Sequence, residues 1–165
     1  MYVVVEPPAK EPVTLEEVKA HLRINPGDSS EDQDILQPLI PAAREYCEQR
    51  TGRALAPQTL RFQAGAGISY FPRTPLLEVL SAQDGAGAVD YSLDPLGAWI
   101  QLPRPALVEF RAGYDPLPRG LRQAMLLLIA HWYANREAVV VGAVTTVEVA
   151  ETVNALLSLY RNWWF

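Results

Sequence analysis

Two histidines, one cysteine and a short acidic run are the side chains from which this sequence could build reactive chemistry. They are His21, His131, Cys47, and Glu31, Asp32 and Asp34. A zinc centre needs several His or Cys ligands, usually in close pairs such as HxxxH or CxxC. Neither pair occurs, and His21 and His131 fall in separate helical stretches. A lone histidine on an apolar helix, as at His131, reads as a core or boundary residue. Cys47 lies on an apolar helical file, which fits a buried, inert thiol better than a nucleophile. The three acids open a helix, where capping and the helix dipole already account for them. Ser29 and Ser30 have no base nearby in sequence, and no nucleophile elbow is present. Gly65, Gly67, Gly85 and Gly87 lack the strand-to-helix context of a phosphate loop. The sequence therefore offers no catalytic residue, no metal ligand set and no cofactor site, and a non-enzyme is expected.

The elements around these residues are more informative. In residues 117–137 the apolar groups Leu121, Ala124, Met125, Leu128, Ile129 and Trp132 recur at helical spacing, with a second file at Leu126, Ile129, Ala130 and Tyr133. A helix apolar nearly all round is buried on most sides. It is shorter than the roughly 18 apolar residues of a membrane span. Leu121, Met125, Leu128 and Trp132 are the expected core anchors. Proline at 116 and 118 suits the helix start.

Ahead of it, residues 1–13 read as an extended arm or edge strand, with three valines followed by Pro7, Pro8 and Pro12. A first helix is expected over 14–24, opened by the capping box Thr14-Leu15-Glu16-Glu17. A second is expected over 30–52, opened by the same device at Ser30-Glu31-Asp32-Gln33 and stopped by Gly52. Pro38 and Pro41 fall inside its apolar pattern, each at a cost of about 3 kcal/mol in a helix interior. Either the helix is kinked near 37–41, or a loop ends at Pro41 and the helix starts there. Residues 57–114 change period and read as a small antiparallel sheet. Val89, Tyr91 and Leu93 are expected on one strand face, residues 94–97 form a turn, and Val108, Phe110 and Ala112 share another face. Residues 138–149 are β-branched, and a final helix is expected over 150–163. The expected fold is α+β but mainly α: a single domain, a helical bundle around the central helix with a small sheet inserted between the second and third helices.

At 165 residues with 49% hydrophobic content the chain is long enough for a sizeable core. One cysteine excludes an intramolecular disulfide, no secretory leader is read, and a reducing cytoplasm is the expected place of synthesis. The net charge is −5, and residues 1–60 alone hold ten acids and six bases. There is no basic block of the kind that grips duplex phosphates. Twelve of the fourteen bases are arginine, a residue favoured at interfaces.

The order of several segments resembles a known family. VTLEEVKAHLRI opens the chain after its arm. AAREYCEQRTGRAL (42–55), PLLEV (75–79), FRAGYDPLP (110–118), AHWYANRE (130–137) and VNALLSLYR (153–161) follow. Together they resemble the tailed-phage head–tail connector family, the adaptor or head-completion proteins often described as DNA-packaging proteins. The prolines at 38 and 41 depart from that pattern. The resemblance implies a structural virion protein of the neck, without catalytic residues. It implies a homo-oligomeric ring of about a dozen copies, and a head-to-tail interface that closes gives such a ring. The ring would lie beneath the portal protein, extend the channel through which genomic DNA passes, and dock neck or tail-completion proteins. No membrane is involved. Interface candidates are Tyr133, Arg136, Val139, Val140, Val141 and the terminal Trp163, Trp164 and Phe165. The alternative is a small DNA-binding or packaging accessory protein that uses the two N-terminal helices.

Overall fold

The arm is a strand. β1 (Tyr2–Glu6) pairs antiparallel with β2 (Gln58–Ala64), setting Tyr2 opposite Phe62 and Val4 opposite Leu60. The structure, a computed structural model, describes residues 1–135 and 147–162. Its contacts divide the described chain into two units. One is a sheet unit of Met1–Lys10, Gly52–Asp115 and Asn162. The other is a helical unit of Glu11–Thr51 with the described part of Pro116–Arg161.

The sheet unit continues with β3 (Gly67–Tyr70), β4 (Leu76–Asp84), β5 (Gly87–Ala88), β6 (Ser92–Leu93), β7 (Trp99–Leu102) and β8 (Ala106–Ala112). Five strands form one sheet in the order β1-β2-β8-β4-β5, and three form a second in the order β3-β7-β6. All the pairings are antiparallel. Alternation in β2 and β8 decides the faces. Leu60 lies opposite Phe110 and Phe62 opposite Val108, and all four are buried. Phe71 joins them, with ring centroids 4.9 Å from Phe110 and 5.8 Å from Phe62. The opposite face is cross-linked by polar side chains, with exposed Val3 and Leu107 among them: Arg61 bonds Glu109 at 2.5 and 2.9 Å, Arg111 bonds Glu78 at 2.8 Å, and Thr59 bonds Glu6 at 3.0 Å. This is the one-wet-face pattern of antiparallel sheets.

The helical unit begins with α1 (Leu15–Leu22), whose capping box is formed as the sequence requires. Thr14 N–H donates to Glu17 Oε2 at 2.9 Å, and Glu17 N–H to Thr14 Oγ1 at 3.3 Å. Ser30 caps nothing. Its N–H and hydroxyl donate to Asp28 Oδ1 at 3.0 and 2.7 Å, closing a turn instead. The chain then enters α2 (Gln37–Thr51) through a single π-helical turn, Asp32–Leu36, in which Leu36 N–H donates to Glu31 O at 3.0 Å. Pro38 thereby falls in the first turn of α2, where a missing N–H costs nothing. Pro41 remains inside the helix. α3 (Arg119–Ala134) and α4 (Val147–Ser158) complete the unit.

The expectation of a mainly helical bundle with a small inserted sheet is corrected by these elements. Among the described residues helix takes 36% and strand 28%, in four helices and eight strands. The strands form two sheets rather than one, and the phenylalanine cluster gives the sheet unit a core of its own. The sequence pattern understated them because the strands are short and broken by Gly and Pro, and because the arm adds a fifth strand. The single strand expected through Val89, Tyr91 and Leu93 is two short pieces, β5 and β6, on either side of a buried Val89 and an exposed Tyr91.

Candidate interaction surfaces

The residues with chemical potential are taken up by structure. His21 is exposed on α1 and His131 is buried in α3. Among the described residues no group of three or more His, Cys, Asp or Glu is placed to hold a metal ion. Cys47 is fully buried, and burial, with the Glu48 carboxylate beside it, pushes its thiol up to about 12. A thiol that hard to ionise is no nucleophile at neutral pH.

The acidic run has a partner that the sequence did not disclose. Lys19, on the buried side of α1, bonds Asp32 Oδ2 at 2.6 Å and the Asp28 carbonyl at 2.7 Å. Tyr133 Oη donates to Glu31 Oε2 at 2.5 Å. Together with Ile24, Asn25, Ser30 and Leu36, the groups Asp28, Glu31, Asp32 and Tyr133 line a cavity of about 180 Å³. The second oxygen of Asp32, Oδ1, is buried there without a hydrogen bond. These contacts tie α1, the π turn and α3 together within the helical unit.

The motif at 42–55 is likewise structural. Arg44, only 8% exposed at its side chain, bonds Glu11 at 2.9 Å and Glu48 at 3.1 Å. Burial opposes its charge, but Glu48, Glu11 and Glu45 outweigh that and hold the guanidinium above its ordinary value. In the sheet unit Arg53 Nη1 donates to Thr74 Oγ1 at 2.7 Å. Asn162 accepts from that Thr74 hydroxyl at 3.1 Å and donates to the Gly52 carbonyl at 2.8 Å, which anchors the last described residue. In the motif at 110–118, Gly113 adopts φ 145° and packs against the Ala56–Pro57 backbone.

Of the core anchors, Leu121, Met125 and Leu128 are fully buried and Trp132 is 6% exposed, its ring edge-on to Tyr46 at 6.1 Å. The second file, Leu126, Ala130 and Tyr133, is half-buried. Arg136, Val139, Val140, Val141, Trp163, Trp164 and Phe165 lie outside the described residues. Sequence reasoning missed Leu96, which is 92% exposed, along with exposed Ile68, Tyr70, Leu77 and Leu93. Its signal was available: an apolar residue at i+2 of a tight turn has no core to enter.

Residues 12–82 match the family model described as phage gp6-like head-tail connector protein. Over that stretch the chain resembles the head–tail connector family. Its whole fold is also similar to solved chains. One is described as from the virion of a native gene transfer agent particle, with 25% identity and a TM-score of 0.74. A second is from the neck of an empty gene transfer agent particle computed with C6 symmetry, with 22% identity and a TM-score of 0.79. A third is from the neck of a native gene transfer agent particle computed with C12 symmetry, with 24% identity and a TM-score of 0.72. Each comparison covers 98% of this chain and 95% of the other. No curated protein matches. The connector family match ends within β4, while the structural likeness carries on through the described helices α3 and α4.

Proposed function

We infer that this chain is a structural subunit of a virion neck: a head–tail connector that repeats as a ring beneath the portal, extends the DNA channel and docks neck or tail proteins. The observation that carries the reading is the coincidence of a connector family match over 12–82 with a fold shared along 98% of the chain with neck proteins of phage-like particles. Symmetry in those particles supports repetition around an axis for this chain as well. Its surface chemistry agrees. The arginines of the outer sheet face are paired with carboxylates, and the net charge is −5, so DNA can pass without being gripped. α1, one of the two helices a DNA-binding role would use, is tied to α3 by an Arg122–Glu17 ion pair.

Co-sedimentation with portal protein, run beside a salt-dependent DNA-binding titration, tests the reading. Portal binding with negligible DNA affinity is expected. Tight, salt-sensitive DNA binding without portal binding would favour a DNA-packaging accessory instead.

A further inference from the structure

The hairpin of β6 and β7 presents a fixed apolar tip. Its turn is Asp94-Pro95-Leu96-Gly97. Gly97 N–H donates to the Asp94 carbonyl at 2.9 Å, and Ala98 N–H to Asp94 Oδ2 at 3.0 Å. Gly97 sits at φ 68°, and a Cβ there would lie 2.9 Å from Leu76 Cβ, so the turn is seated against β4. Leu96 projects from it 92% exposed, with Tyr91 and Leu93 exposed on the approach at 42% and 39%. Residues 85–98 contain two acids, Asp90 and Asp94, and no base. A rigid apolar group held in water beside acidic residues is a docking knob without a socket in its own unit.

The helical unit carries a socket of the opposite character. A groove of about 730 Å³ at the start of α3 is lined by Pro116, Leu117, Pro118, Arg119, Arg122 and Gln123. Its lining combines apolar Pro116, Leu117 and Pro118 with cationic Arg119 and Arg122, and includes no acid. Arg122 is paired with Glu17, whereas Arg119 is exposed and makes no ion pair among the described residues.

We propose that the occupant of this groove is the hairpin tip of a second copy of this chain. Leu96 enters between the prolines, and Asp90 and Asp94 face Arg119. Apolar fit and opposite charge select the same partner, which is what a specific interface requires. Tip and groove are different surfaces, so the contact is head-to-tail; it passes from copy to copy and closes as a ring where the rotation allows. The assignment rests on the ring reading above and names the surfaces that would build it.

A cysteine pair tests it. The double variant Leu96→Cys with Gln123→Cys is assembled on portal or at high concentration, oxidised, and run on a denaturing, non-reducing gel; the buried Cys47 takes no part. A ladder of covalent multimers is expected from the double variant and from neither single variant. Rings by mass measurement without a ladder, or a disulfide within one chain, would overturn the contact and leave the ring reading standing. A wild-type chain that forms no ring, alone or on portal, would overturn both. As a second arm, Arg119→Asp should weaken self-association about tenfold or more, the scale of an interface hot spot, and Asp90→Arg in the same chain should restore it. An unchanged association constant in Arg119→Asp would overturn the charge pairing. Both positions are exposed, so the melting temperature should stay at the wild-type value.

Discussion

Replacing Gly113 with alanine should damage the sheet unit more than the addition of one methyl group suggests. Gly113 follows β8 at φ 145°, a region in which side chains are strained. An added Cβ would lie 2.2 Å from the Ala56 carbonyl oxygen, 2.3 Å from its carbon and 2.5 Å from Pro57 N. All three are backbone atoms, so no rotamer change relieves the clash. The strained conformation costs about 1–3 kcal/mol and overpacking about 1–3 kcal/mol more. Any shift that relieves them also threatens the 3.0 Å bond from Gly113 N–H to the Pro75 carbonyl. A loss of about 2–6 kcal/mol follows, or a fall in melting temperature of at least about 4 °C for a chain of this size. Gly65→Ala is the control, because nothing lies within 4 Å of its added Cβ. Urea denaturation of both variants is the assay. Equal midpoints for Gly113→Ala and Gly65→Ala would refute the geometry.

Three further outcomes follow from burial and charge. Trp132→Ala should cost about 3–5 kcal/mol in chemical denaturation, and Trp132→Phe less, because phenylalanine keeps most of the buried ring while the indole N–H it gives up has no acceptor; equal losses would contradict that. Cys47, with its thiol raised to about 12 by burial, should resist a thiol reagent at pH 8 in the folded protein and react on denaturation; stability should fall as pH rises above about 9, where the unfolded thiol ionises first. Hydrogen bonds from Arg104 to Asp84 and from Ser30 to Asp28 hold both carboxyls below their ordinary value of 3.8, so their stabilisation is present above that pH and lost as pH falls below it. NMR titration midpoints at or above 3.8 would contradict the pairing.

Much of the helical unit was legible because its signals are local. Thr14 and Glu17 are three residues apart and cap α1 as their types require, and the Leu121–Trp132 file states its own period. Ser30 misled because Asp28, two residues earlier, competes for its hydroxyl. Lys19 was not legible at all, since its partner Asp32 is thirteen residues away across a turn of unforeseen geometry. In the sheet unit the extended character of residues 57–114 could be read, but not the partnership of β1 with β2 or of β8 with β4, which join residues tens of positions apart. The weight of the β part was underestimated for that reason. The apolar tip itself was legible, since Leu96 stands at i+2 of the turn Asp94–Gly97, but the seat of that turn against Leu76 was not.

The central claim is that copies of this chain form a closed ring on a portal. Mixing the purified full chain with portal particles, then measuring particle mass and rotational symmetry by electron microscopy, tests it most directly. The account predicts added mass equal to a fixed number of copies per portal, seen as a symmetric ring with a continuous central channel. Single copies bound irregularly, or a chain that stays monomeric and apart from portal at high concentration, would contradict it.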